Sequence, residues 1–149
     1  MPEQETIERA REDAREGKAP STQAGEFVRE EMEHIREGKH GARSAKQAIA
    51  IGLSKARRAG VPLSPPKEGK TRTRKQAQRD LKKGRGSGRR KTSRTRSRAV
   101  KKALKREPRS AASHRPLSRQ THAAARRRTK TDRSRAAKKA AATRKKRRS

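Results

Sequence analysis

The sequence predicts an all-α protein in two parts: a small N-terminal head, built from a helical hairpin and an N-terminal helix, followed by a long disordered basic tail. Three observations lead there. Apolar residues before residue 60 recur with a helix's 3.6-residue period and not with a strand's alternation. Three prolines in Val61-Pro-Leu-Ser-Pro-Pro66 stop helix and stiffen the chain. Beyond them, residues 66–149 hold 35 basic against 4 acidic side chains, whereas residues 1–38 hold 6 basic and 11 acidic. The implied organisation is a head over 1–60, a proline-rich linker over 61–66 and a tail over 67–149.

The first helix runs from about Pro2 to Glu16, with Ile7, Ala10 and Ala14 on one face and Gly17 as its stop. The second follows Pro20-Ser21-Thr22, whose hydroxyls suit a helix start, and ends at Gly38. Ala24, Phe27, Val28, Met32 and Ile35 form its apolar stripe. Both end in the same four residues, Arg-Glu-Gly-Lys (15–18 and 36–39). A glycine just past a helix takes the left-handed conformation that satisfies the last carbonyls, so this is one stop device used twice. The sequence leaves open whether the first helix packs on the hairpin.

The third helix occupies "GARSAKQAIAIGLSKARRAG", residues 41–60. Ser44 and Gln47 have the spacing of a capping box, and Gly60-Val61-Pro62 is a C-terminal stop. Ala45, Ala48, Ile49, Gly52, Leu53 and Ala56 share a face, which puts Gly52 on the buried stripe. That glycine costs roughly 1 kcal/mol of helix propensity relative to alanine, which close approach of a neighbouring helix would offset. A helix-turn-helix centred on Ala48 and Gly52 is the competing reading. It fails because Arg58 falls where a core residue belongs and because Gly60-Val61-Pro62 shortens the recognition helix below what a major groove needs.

Composition closes several other routes. The 149 residues carry a formal charge of +32, are 42% charged and 26% hydrophobic, and include no cysteine. Disulfides and thiolate metal sites are excluded, and no apolar run approaches the ~18 residues of a membrane span. The acidic N-terminus lacks a signal peptide's basic and apolar regions. Ten large apolar residues in the first 65 make a thin core, so a second copy docked on the head is an expected route to stability. No enzyme is predicted, since no nucleophile–base pair and no phosphate-cradling glycine loop occurs. His34 and His40 lie near Glu30, Glu31 and Glu37, but their spacing matches no standard ligand pattern, so they read as solvated histidines. Neither metal nor cofactor is expected.

A charge this high implies a polyanionic partner. From Lys67 onward the chain is largely Lys, Arg, Ser, Thr, Ala and Gly, a composition typical of disorder. Arg98–Arg106, ended by Glu107-Pro108, and the alanine-rich 136–149 segment are read as stretches that turn helical when phosphates remove their self-repulsion. The candidate nucleic-acid-binding residues are Lys46, Lys55, Arg57 and Arg58 on the third helix. In the tail they are Lys82, Lys83, Arg85, Arg89, Arg90, Lys91, Arg94, Arg96, Arg98, Lys101, Lys102, Lys105, Arg106, Arg126, Arg127, Arg128, Lys130, Lys138, Lys139, Arg144, Lys145, Lys146, Arg147 and Arg148. Such contacts hold phosphates and read no bases, so the predicted partner is DNA, bound non-specifically and in a salt-sensitive way. The predicted setting is the nucleoid in the cytoplasm. Phe27 is the only aromatic residue, which leaves no platform for stacking single-stranded bases. RNA or ribosome association is the alternative, and a protein-binding head with a merely localising tail is a third reading. Ser93, Thr95 and Ser97 alternate with arginines and read as spacer hydroxyls, although phosphates there would weaken contact with nucleic acid.

Two resemblances add to this. Arg36–Gly60, "REGKHGARSAKQAIAIGLSKARRAG", together with Arg11–Ile35, resembles the signature of a group of small basic bacterial proteins whose domain is uncharacterised. The resemblance covers roughly the first 65 residues and implies a bacterial setting and DNA binding. The tail is similar in composition to histone-like nucleoid proteins, without their sustained Lys-Ala-Pro repeat.

Overall fold

The computed structural model describes residues 1–86 and 93–146. They form α1 (Gln4–Arg15), α2 (Pro20–Arg36), α3 (Ala45–Arg58), α4 (Thr71–Arg85), α5 (Arg94–Arg106), a 3-10 turn at Arg109–Ala112, α6 (His114–Arg127) and α7 (Lys130–Lys146). Two compact units result, Met1–Ser113 and the chain from His114 onward.

The helix ends follow the local chemistry. Gly17 and Gly38 have φ of 70° and 80°, a region that side chains disfavour. After α1 the Lys18 amide donates to the Asp13 carbonyl and the Gly17 amide to Ala14; after α2 Lys39 donates to His34 and Gly38 to Ile35. These paired bonds are Schellman caps, and Gly60 with Val61 repeats them after α3. The Ser44 hydroxyl accepts from the Gln47 amide at 3.2 Å, and the Gln47 side chain accepts from the Arg43 amide at 2.7 Å. At the start of α2 neither hydroxyl caps: Ala19 is the N-cap and Pro20 opens the helix.

The core of the first unit is built on α2 against α3. A Cβ on Gly52 would stand 2.7 Å from the Val28 Cα and 3.0 Å from the Phe27 carbonyl oxygen, so α3 crosses α2 backbone to backbone at this glycine. Ala24, Phe27, Ala56 and Val61 cluster there with Ala10, and Ile7, Leu53 and Leu63 pack on the edge. The first helix therefore does pack on the hairpin. The proline-rich segment is held too: Arg57 donates to the Leu63 and Ser64 carbonyls at 3.1 and 3.3 Å.

The expected long disordered tail is overturned. Four helices and a 3-10 turn occupy 71–146 outside residues 87–92, and part of this stretch belongs to the same unit as the head. Helix α4 packs on α3, burying Ala77 and Asp80. A Cβ on Gly84 would lie 2.0 Å from the Arg57 carbonyl oxygen, so the two backbones touch. Further on, the 3-10 turn packs on α2 and α3 with Ala111 and Ala112 buried. The Gly41 and Ala42 amides donate to the Leu104 and Pro108 carbonyls at 2.8 and 3.1 Å, and Arg36 donates to the Ala112 carbonyl at 3.0 Å.

The physical reason is composition read at the wrong grain. Alanine, lysine and arginine are strong helix formers, and alanine's small side chain lets backbones approach without a large apolar inventory. The caps are local. Ser93 accepts from the Arg96 amide at 3.5 Å, and Thr129 accepts from the Asp132 amide at 3.2 Å while its hydroxyl donates to the Asp132 carboxylate. The segments expected to become helical only on phosphate, Arg98–Arg106 and 136–149, fall within the longer helices α5, which stops before Glu107, and α7, with 147–149 outside the described residues.

Candidate nucleic-acid interface

The cations singled out on the third helix separate into two groups. Lys46 is exposed. Lys55 lies 2.7 Å from a Glu31 carboxylate oxygen and 3.3 Å from one of Glu30, and Arg58 donates to Asp80 at 2.8 Å. Arg57 is buried and spends its guanidinium on backbone carbonyls of the proline-rich segment. Burial lowers its pKa, partly offset by the nearby Asp80 carboxylate. Three of the four thus have partners inside the first unit.

The residues beyond them stand outward. Lys82, Lys83 and Arg85 are exposed on α4, as are Arg94, Arg96, Arg98, Lys101, Lys102, Lys105 and Arg106 on α5. Arg126, Arg127, Arg128, Lys130, Lys138, Lys139, Arg144, Lys145 and Lys146 are exposed in and between α6 and α7. Arg89, Arg90, Lys91, Arg147 and Arg148 lie outside the described residues. Every residue from Thr121 to Lys146 is exposed. Over 114–146, 13 basic side chains face one carboxylate, Asp132, which sits 4.0 Å from Arg135.

The acidic N-terminal residues do not supply the missing negative charge. They pair with cations of α1, α2 and the turn between them: Arg9 with Glu5 and Glu26, Arg29 with Glu33, Lys18 with Asp13 and Glu16. Hydrogen bonds from His34 and then Lys39 hold the Glu3 carboxyl below the usual carboxylate range. The ammonium groups of Lys18 and Lys39 are raised, Lys18 chiefly by Asp13 and Lys39 chiefly by Glu37. Arg43 and Glu107, 3.8 Å apart, form an ion pair between the hairpin and the segment after α5.

A second constellation is one the sequence spacing argued against. Glu30 and Glu31 are 2% and 0% exposed on α2. His34 follows one turn later on the same face, and the left-handed turn at Gly38 folds His40 back toward it, with ring centroids 6.3 Å apart and nearly perpendicular. Their side chains are 12% and 18% exposed, so the reading of both as solvated does not hold. The only sequence signal was the i, i+3 spacing of Glu31 and His34 on a helix. His40 joins them through a turn that spacing does not encode.

No protein-family model matches the chain, and neither a curated protein nor a solved structure matches it significantly. The string resemblance of Arg36–Gly60 accordingly has no family match behind it.

Proposed function

We propose that this protein binds double-stranded DNA non-specifically through its basic helices, as a compacting or protecting protein of the nucleoid. The observation that carries the reading is the excess of positive charge over 114–146: 13 basic side chains against one acidic one, on helices with no buried residue. Helix α7 alone presents 8 lysines and arginines in 17 residues, over a length of about 26 Å. A helix about 10–12 Å across fits a major groove about 12 Å wide. Its alanines allow close approach, while it offers no amide side chain to read a base edge. Duplex is favoured over single strands because Phe27 is 1% exposed and so unavailable for stacking.

Among the described residues no helix is long and apolar enough to cross a membrane. The test is fluorescence anisotropy of the full chain on two duplexes of equal length, one A·T-rich and one G·C-rich, from 50 to 200 mM salt. Equal affinities that fall together by about 10³-fold or more support the proposal. A strong preference for one duplex, or affinity indifferent to salt, defeats it. A competing excess of ribosomal RNA that displaces both duplexes at far lower phosphate concentration than unlabelled DNA transfers the function to RNA.

A further inference from the structure

We propose that Glu31, His34 and His40 form a three-ligand site for a divalent transition-metal ion of the zinc class. Their ligand atoms all lie within 4.8 Å of one another. His34 Nε2 is 2.8 Å from Glu3 Oε1, and His40 Nδ1 is 3.1 Å from the Gly41 carbonyl oxygen. Both partners only accept, so these two ring nitrogens carry the hydrogens. Neutral imidazoles in that tautomer present lone pairs at the remaining nitrogens, His34 Nδ1 and His40 Nε2. They point into the space held by the buried carboxylates: His40 Nε2 stands 3.3 Å from Glu31 Oε1, and His34 Nδ1 stands 3.8 Å from Glu30 Oε1. In that neutral state lone pair faces carboxylate, an arrangement of two acceptors that a metal ion between them resolves, in competition with the second ring proton of an imidazolium.

Two further observations point the same way. Glu31 is 0% exposed, and its Oε1 has no hydrogen-bond donor. Lys55 sits 2.7 Å from Oε2 and 3.3 Å from Glu30, so one ammonium is shared between two buried carboxylates and Oε1 is left to the histidines. Oε1, the oxygen turned toward His40, is the ligand atom. Zinc–nitrogen and zinc–oxygen bonds of about 2.0–2.1 Å at a tetrahedral centre separate adjacent ligand atoms by about 3.3–3.4 Å. The His40–Glu31 separation already has that value. The Glu3 carboxylate and the Gly41 carbonyl occupy the places of the outer partners that orient metal-bound histidines. Two imidazoles and one carboxylate select zinc-like ions over magnesium or calcium, which prefer all-oxygen sites. The fourth position stays open to water or to Glu30.

The site also has a structural consequence. Its loop, His40-Gly41-Ala42, donates the two amides that hold Leu104 and Pro108. A metal bridging α2 to this loop braces the docking of the 104–112 segment.

The full chain, stripped by a chelator, is titrated with zinc chloride by calorimetry in 0.5 M sodium chloride. One zinc per chain is expected, with a rise in melting temperature and slowed amide exchange at Gly41 and Ala42. H40Q is expected to lower zinc affinity at least about tenfold, whereas H114Q/H122Q, which removes the chain's two other histidines, leaves it unchanged. Cobalt in place of zinc gives a tetrahedral visible band in the wild type and in H114Q/H122Q, a readout that holds whether or not H40Q folds. Absence of stoichiometric zinc or cobalt uptake by the wild type overturns the site. So does uptake abolished by H114Q/H122Q, or unchanged in an H40Q chain with native circular dichroism.

Discussion

At the scale of single residues, three glycines and one aspartate make opposed predictions. Gly25 and Gly52 both sit inside helices, where alanine gains about 1 kcal/mol of propensity. A Cβ at Gly25 meets nothing within 4 Å, so G25A is expected to stabilise by about 0.5–1 kcal/mol. At Gly52 the Cβ meets the Val28 Cα at 2.7 Å, and backbone does not yield as a side chain does. Overpacking of about 1–3 kcal/mol exceeds the propensity gain, so G52A is expected to lower the melting temperature and G25A to raise it. Thermal denaturation of both variants checks the signs. Gly84, 2.0 Å by the same measure from the Arg57 carbonyl oxygen, tolerates no Cβ without displacing α4. Asp80, 1% exposed, accepts from Ser54 at 2.6 Å, Arg58 at 2.8 Å and Gln76 at 3.1 Å. D80A leaves those donors short of their acceptor and is expected to cost about 1.5–3 kcal/mol in a denaturant titration, with D80N costing less.

At the scale of elements, the first three helices were legible because their punctuation is local. A glycine past the last turn and a Ser-x-x-Gln box act within six residues, so reading Gly17, Gly38, Gly60, Ser44 and Gln47 in order places the helix ends. Gly52 was legible as well, since a glycine on an apolar stripe implies close approach. Helix α4 was not. Its buried face consists of Ala77, Asp80 and the half-buried Leu81 and Gly84, which by composition reads as two apolar residues in a basic run. Only the partners of Asp80 on α3 reveal it as an anchor, and those lie 22 and 26 positions away. The 104–112 segment is hidden for the same reason, because its ties run through backbone carbonyls to Gly41 and Ala42. The exposed cations were found by charge alone, but Lys55, Arg57 and Arg58 needed the fold to show their internal partners. A chain cut at Pro66 ends where the proline cluster suggests the head ends; a chain cut at Ser113 keeps α4 and the docked turn. The longer one is expected to unfold on the order of 10 °C higher, from the Asp80 bonds alone, when ellipticity at 222 nm is followed with temperature. Equal midpoints would mean that α4 and the turn add nothing to the hairpin.

At the scale of the whole molecule, charge is divided along the chain: residues 39–149 carry 41 basic and 4 acidic side chains. Residues 1–38 carry a net −5, but nine of their 11 carboxylates pair with basic or histidine side chains of the first unit, so they are poor competitors for a polyanion's place. The unit from His114 has cations in excess on exposed helices, and repulsion between them is relieved when phosphates replace small counterions. A rigid helix lying along a duplex turns only part of its circumference to the phosphates. If roughly half of the 13 basic residues in 114–146 engage, about six phosphates are neutralised, and the slope of log affinity against log salt changes by about −5. Removing 114–149 is therefore expected to flatten that slope by about 5. At 50 mM salt the loss of binding should be large, and it should narrow steadily as salt approaches 200 mM, because released counterions contribute less free energy at higher concentration. Charge reversal at Lys138 and Lys139 should flatten it by about 2 while leaving the melting temperature of the first unit unchanged, since both side chains are exposed. A deletion that weakens binding by the same factor at every salt concentration would instead mean that the unit from His114 acts through packing, and the assignment of DNA contact to its helices would fail.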